Sequence, residues 1–67
     1  MVDISLNGEP RAVPPGQTVA ALLASLGLDA RKVAVERNEA IVVRSHYETT
    51  SLGAGDQIEI VHFIGGG

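Results

Sequence analysis

Gln57-Ile58-Glu59-Ile60-Val61-His62-Phe63-Ile64-Gly65-Gly66-Gly67 is the stretch from which the rest of the chain is read. β-Branched residues dominate its first part. Ile58, Ile60, His62 and Ile64 alternate with Gln57, Glu59, Val61 and Phe63, which is the period of a β-strand. The glycines that follow have no side chain to pack and carry the largest conformational freedom of any residue. A stiff strand therefore hands over to a thin, bare tail ending in an α-carboxylate. Such a tail fits a channel too narrow for any Cβ. We take the carboxylate of Gly67 as the functional group, and Gly65 and Gly66 as the part that threads a partner's active site. A frayed terminus has the same composition, so the tail alone does not decide the matter.

The strand also has an outward side. With Ile58 and Ile60 facing a core, Val61 and Phe63 point away from it, just before the tail. Phe63 is the only phenylalanine in the chain. An outward aromatic beside a functional tail is a docking residue, because aromatics are favoured interface anchors. Val61, Phe63 and Ile64 are the expected docking set. The competing reading is that a loop covers this face.

Working outward, Met1 to Leu6 alternates, with Val2, Ile4 and Leu6 on one side, as a half-buried strand does. Asn7-Gly8 is the strongest short hairpin signal, since both central positions of a type I′ turn need positive φ. Glu9 to Val13 returns, and Pro10, which lacks an N–H, puts that strand at a sheet edge. Pro14-Pro15-Gly16 breaks the pattern. Thr18 is placed to cap a short helix. Val19, Leu22, Leu23 and Leu26 form its apolar stripe, and Gly27 is its left-handed terminator. Lys32 to Glu36 predicts a third strand and Ala40 to Val43 a fourth, around a turn at Arg37-Asn38-Glu39. Ser45 to Leu52 reads as polar and irregular with a single helical turn, and Gly53-Ala54-Gly55-Asp56 as a turn. A hairpin followed by a helix crossing one face of a small sheet is an α+β two-layer arrangement. The expected core is Val2, Ile4, Leu6, Val19, Leu22, Leu23, Leu26, Val33, Val35, Ile41, Leu52, Ile58 and Ile60.

Composition narrows the chemistry. The 67 residues make one domain, and a domain that small buries only about 60% of its unfolded surface. A substrate cavity besides the core is not expected. There is no cysteine, so disulfides, thiolate metal sites and a cysteine nucleophile are all excluded. Stability must come from packing, which suits a reducing cytoplasm. No apolar run approaches the ~18 residues of a membrane span, and the N-terminus lacks the pattern of a secretory signal. A formal net charge of −3 argues against nucleic acid and permits steering towards a basic protein surface.

No self-contained active site is legible. His46 and His62 lie on different elements without metal-ligand spacing, so no metal is expected. Glu9, Glu36, Glu39, Glu48, Asp56 and Glu59 are scattered and read as solvated faces, not as an acid–base pair. The serines have no neighbouring base motif. Gly53-Ala54-Gly55-Asp56 is followed by no phosphate-loop lysine.

The whole pattern resembles the β-grasp, ubiquitin-like proteins, and within them the ThiS family of sulfur carriers. The resemblance rests on Val33-Ala34-Val35-Glu36-Arg37-Asn38, on Ile41-Val42-Val43-Arg44-Ser45, and on Gly55 through Gly67. Val43 departs from a proline frequent in relatives, and Gly65 extends the usual glycine pair. The resemblance implies a β-grasp domain over residues 1–64 and a tail over 65–67. It implies that the first and last strands run parallel in the middle of the sheet. It further implies a cytoplasmic carrier, monomeric when free, that is not an enzyme and binds no cofactor itself. A ThiF-like enzyme would adenylate Gly67 with ATP and Mg. A sulfur donor, such as a persulfide from a cysteine desulfurase, would convert the adenylate to a thiocarboxylate for a ThiG-like thiazole synthase. The same residues leave open the small subunit of molybdopterin synthase, a ubiquitin-like modifier, and a non-covalent interaction domain.

Overall fold

Asn7 and Gly8 take the turn that their dipeptide predicts, with φ of 50° and 84°. Two left-handed residues in succession give the type I′ geometry, whose twist matches that of the flanking strands. The turn joins β1 (Val2–Leu6) to β2 (Glu9–Val13), antiparallel from Val2–Val13 to Leu6–Glu9. The computed structural model describes residues 1–63.

Helix α1 spans Val19–Ser25, and the Thr18 hydroxyl accepts from the Ala21 N–H at 3.1 Å. Gly27, at φ 71°, ends the helix. The Leu28 N–H then reaches the Leu23 carbonyl at 2.9 Å and the Gly27 N–H that of Ala24 at 3.0 Å, the paired closure of a Schellman motif. A 3₁₀ turn follows at Ala30–Lys32, capped by the Asp29 side chain; the sequence pattern assigns no element to Ala30 and Arg31 and gives Lys32 to the third strand. Strand β3 (Val33–Arg37) and strand β4 (Ala40–Val42) flank Asn38 and Glu39, both with positive φ. The expected third strand is thus shifted by one residue, and the fourth stops one residue short. A second 3₁₀ turn at Arg44–His46 precedes β5, Gln57–His62.

The sheet order is β2-β1-β5-β3-β4, with β5 parallel to β1 and antiparallel to β3. This is the mixed sheet with its first and last strands central, and β2, the strand with Pro10, lies at its margin. Val19, Leu22 and Leu23 of α1 form one buried cluster with Ile4, Val13, Val33, Val35, Tyr47, Leu52 and Ile58. Val13 and Tyr47 are additions to the expected core. Val2, Leu6, Leu26 and Ile60 are only partly buried and pack against it.

Ile41 is a correction: expected in the core, it is 76% exposed. In β4 it is Val42 that pairs with Val35 and shares the helix-facing side, while Ile41 opposes Glu36 on the other side. Asp56 is a second correction, being buried at 7% exposure instead of lying on a solvated face.

Candidate functional site

β5 is fastened on both sides along most of its length. On the β1 side, the Asn7 N–H donates to the Ile58 carbonyl at 2.9 Å. Past that point β1 has ended, and the Asn7 side chain takes over. Its Oδ1 accepts from the Ile60 N–H at 2.8 Å and its Nδ2 donates to the Ile60 carbonyl at 3.2 Å. One amide thus imitates a further ladder residue. On the β3 side, the Phe63 N–H donates to the Lys32 carbonyl at 2.9 Å. Of the expected site residues, Val61 and Phe63 are therefore described, on and just after β5. Ile64, Gly65, Gly66 and Gly67 lie outside the described residues.

The start of β5 is anchored by the buried Asp56. Its Oδ2 accepts from Arg37 Nε at 2.9 Å and from the Gly53 N–H at 2.8 Å, and its Oδ1 from Asn38 Nδ2 at 3.1 Å. Asn38 completes the junction, its Oδ1 accepting from the Gln57 N–H at 2.9 Å and its own N–H donating to the Gln57 carbonyl at 2.8 Å. Burial works to raise the Asp56 pKa. The Gly53 N–H, the Arg37 and Asn38 donors and the Arg37 charge outweigh it, so the carboxyl sits below its ordinary value. The network ties the 53–56 turn, the β3–β4 turn and β5 together at the end remote from the tail. It is a positioning device.

The sheet face away from α1 carries the exposed apolar residues. Val61 opposes Ala34, Glu59 opposes Glu36, and Glu36 opposes Ile41. Val61, Phe63, Ile41 and Val43 are 59%, 55%, 76% and 51% exposed. Among the described residues, no loop covers Val61 or Phe63. The sequence pattern missed Ile41 and Val43 as members of this patch, because a strand of three residues is too short to declare its phase. Ile41, Val43 and Phe63 of this patch also line a groove of about 620 Å³, together with Val33, Val42, Tyr47, Arg31 and Arg44. His46 and His62 are both exposed, and among the described residues no cluster of three or more His, Asp or Glu is placed to hold a metal.

Comparison with known proteins places this arrangement. The sequence profile of the ThiS family matches residues 4–67. A thiazole synthase of Magnetococcus marinus contains a segment 55% identical over 64 residues, 96% of this chain, and the chain spans 20% of that protein's length. The sulfur carrier protein ThiS of Bacillus subtilis is 48% identical over 50 residues, covering 75% of this chain and 76% of its own. The crystal structure of the thiamine biosynthesis protein ThiS from Geobacter metallireducens superposes with a TM-score of 0.85 at 32% identity, over 98% of this chain and 100% of the other.

Proposed function

Because the chain belongs to the ThiS family, we propose that it carries sulfur for thiazole formation in thiamine biosynthesis, with the Gly67 carboxylate as the reactive group. A carboxylate is a poor acyl electrophile, because its charge repels nucleophiles and it has no leaving group. In the proposed cycle a ThiF-like enzyme, using its own ATP and Mg, lets a Gly67 carboxylate oxygen attack the α-phosphorus, and pyrophosphate leaves. A sulfur nucleophile then adds to the acyl carbon, and AMP departs with that oxygen. When the nucleophile is a persulfide, a thiol must next reduce the S–S link to leave the thiocarboxylate. The chain acts as a protein co-substrate; the partner supplies positioning and charge stabilisation.

The observation that carries the reading is that the family profile runs through Gly67 and so includes the glycine tail with the fold. The exposed Val61 and Phe63 support docking immediately before that tail. Ile64 and the threading glycines Gly65 and Gly66 belong to the same proposal. The thiazole synthase that contains a segment like this chain supports a ThiG-like acceptor. No helix among the described residues is long and apolar enough to cross a membrane. The use of ATP and reduced sulfur supports a cytoplasmic setting for the proposed cycle.

The test is intact-mass analysis after incubation with a ThiF-like enzyme, MgATP and sulfide. One oxygen is expected to be exchanged for sulfur in a chain ending at Gly67, and no exchange in a chain with one residue appended after it. Equal charging of the extended chain would overturn the terminal-carboxylate mechanism.

A further inference from the structure

β5 outruns the strands around it. β1 pairs with it only at Ser5–Gln57 and Leu6–Ile58, and β4 stops at Val42, opposite Val35. Among the described residues, the Ala34–Val61 and Val33–His62 pairs therefore stand as a ribbon of two strands. Such ribbons twist more than strands inside a sheet. The exposed Val61 lies on this projecting piece, and Phe63 follows it directly, tied by its N–H to the Lys32 carbonyl. The β3 ladder fixes one edge of β5 here. The direction in which the ribbon leaves the sheet depends on what holds the other edge.

The last hold on that edge is the Asn7 amide. Ile60, the residue before Val61, donates its N–H to Asn7 Oδ1 at 2.8 Å, and its carbonyl accepts from Nδ2 at 3.2 Å. One side chain meets both backbone groups of one residue. A neutral amide can do this, whereas a carboxylate accepts without donating and a glycine offers neither. The turn does not demand it, because Asp and Gly also suit the positive φ of a type I′ turn. The two bonds lie at the surface, so losing them opens no cavity in the core. We propose that Asn7 is a positioning residue for docking: by clamping Ile60 it sets the angle at which the two-stranded end presents Val61 and Phe63 to the adenylating enzyme. The inference rests on the reading of Val61 and Phe63 as docking residues for a ThiF-like partner. Asn7 acts through β5 and takes no part in the chemistry at Gly67.

The test measures ATP–pyrophosphate exchange by a ThiF-like enzyme against carrier concentration, at a temperature where circular dichroism shows every variant fully folded. Asn7→Gly keeps the turn and is expected to raise the KM for the carrier about fivefold with kcat unchanged, the mark of lost docking and intact chemistry. Asn7→Asp keeps the acceptor and loses the donor, so its KM should fall between those of parent and Asn7→Gly. In a Phe63→Ala background Asn7→Gly should add little, because the residue it positions is gone. An unchanged KM for Asn7→Gly, or a full additive rise in the Phe63→Ala background, would overturn the positioning role and leave the amide a stabilising contact alone. A KM that Phe63→Ala also leaves unmoved, or no exchange with the parent chain, would overturn the docking reading beneath it and the proposal with it.

Discussion

Asp56 shows how much one side chain organises here. It receives three donors, and the strand bearing the proposed site starts at the next residue. Asp56→Asn keeps the shape but can no longer accept at both oxygens, so one donor faces an NH₂ group. Arg37 is partly exposed, which makes the ion pair itself a minor contributor. The hydrogen bonds dominate, and their disruption is expected to cost about 2 kcal/mol. In a domain of this size that is a fall in Tm of roughly 10 °C, measurable by thermal circular dichroism. Phe63→Ala should behave oppositely. Its ring is more than half exposed, so Tm should barely move, while the Kd for a ThiF-like partner rises about tenfold or more in calorimetric titration. A large Tm loss with unchanged Kd would make Phe63 a packing residue.

At the scale of elements, β5 depends on a side chain outside the sheet. Asn7→Gly keeps the positive φ of the turn but removes both bonds to Ile60. A stability loss of about 1–2 kcal/mol is expected, with faster hydrogen exchange at the Ile60 N–H than at Ile58. Equal acceleration at both would mean that the hairpin as a whole has loosened. The opposed carboxylates of Glu36 and Glu59 are a second element-level feature. Like charges directly opposite destabilise an antiparallel pair. Glu59→Gln should therefore raise the urea midpoint at low salt and lose that advantage at high salt. The helix ends and the Asn7-Gly8 turn were legible in the sequence, because Thr18, Gly27 and Asn7-Gly8 act on backbone within a few residues of themselves; the second turn was legible in place but one residue too long, since Arg37 belongs to β3 and pairs with Ala40. The face taken by Ile41 was not legible. In a three-residue strand the phase comes from the partner, here Val35 and Glu36 of β3.

For the whole molecule, pH separates the buried carboxyl from the rest. The Asp56 pKa is depressed in the fold, so its contribution is fully present above the unfolded aspartate value, about 3.9. That contribution is lost as pH falls through this value towards the folded one. Asp29, lowered to about 2 mainly by the Arg31 side-chain hydrogen bond, acts with the same sign but lies at the surface. Urea midpoints measured between neutral pH and acid should fall steeply below pH about 4 in the parent chain. They should fall less in Asp56→Asn, which starts lower and has no such charge to lose.

The local code of this chain set the strand alternation, the turns, and the helix stripe and its caps. Each of these depends on the stereochemistry of near neighbours, so it is readable from residue order. Tertiary structure alone decided the burial of Asp56 and Tyr47, the exposure of Ile41, the Asn7 clamp on Ile60 and the groove beside Val33. Those depend on groups far apart in the chain, 18 and 19 residues for the side-chain donors on Asp56 and 53 for Asn7 and Ile60. Folding brings them within hydrogen-bonding distance, and no periodicity along the chain encodes that proximity.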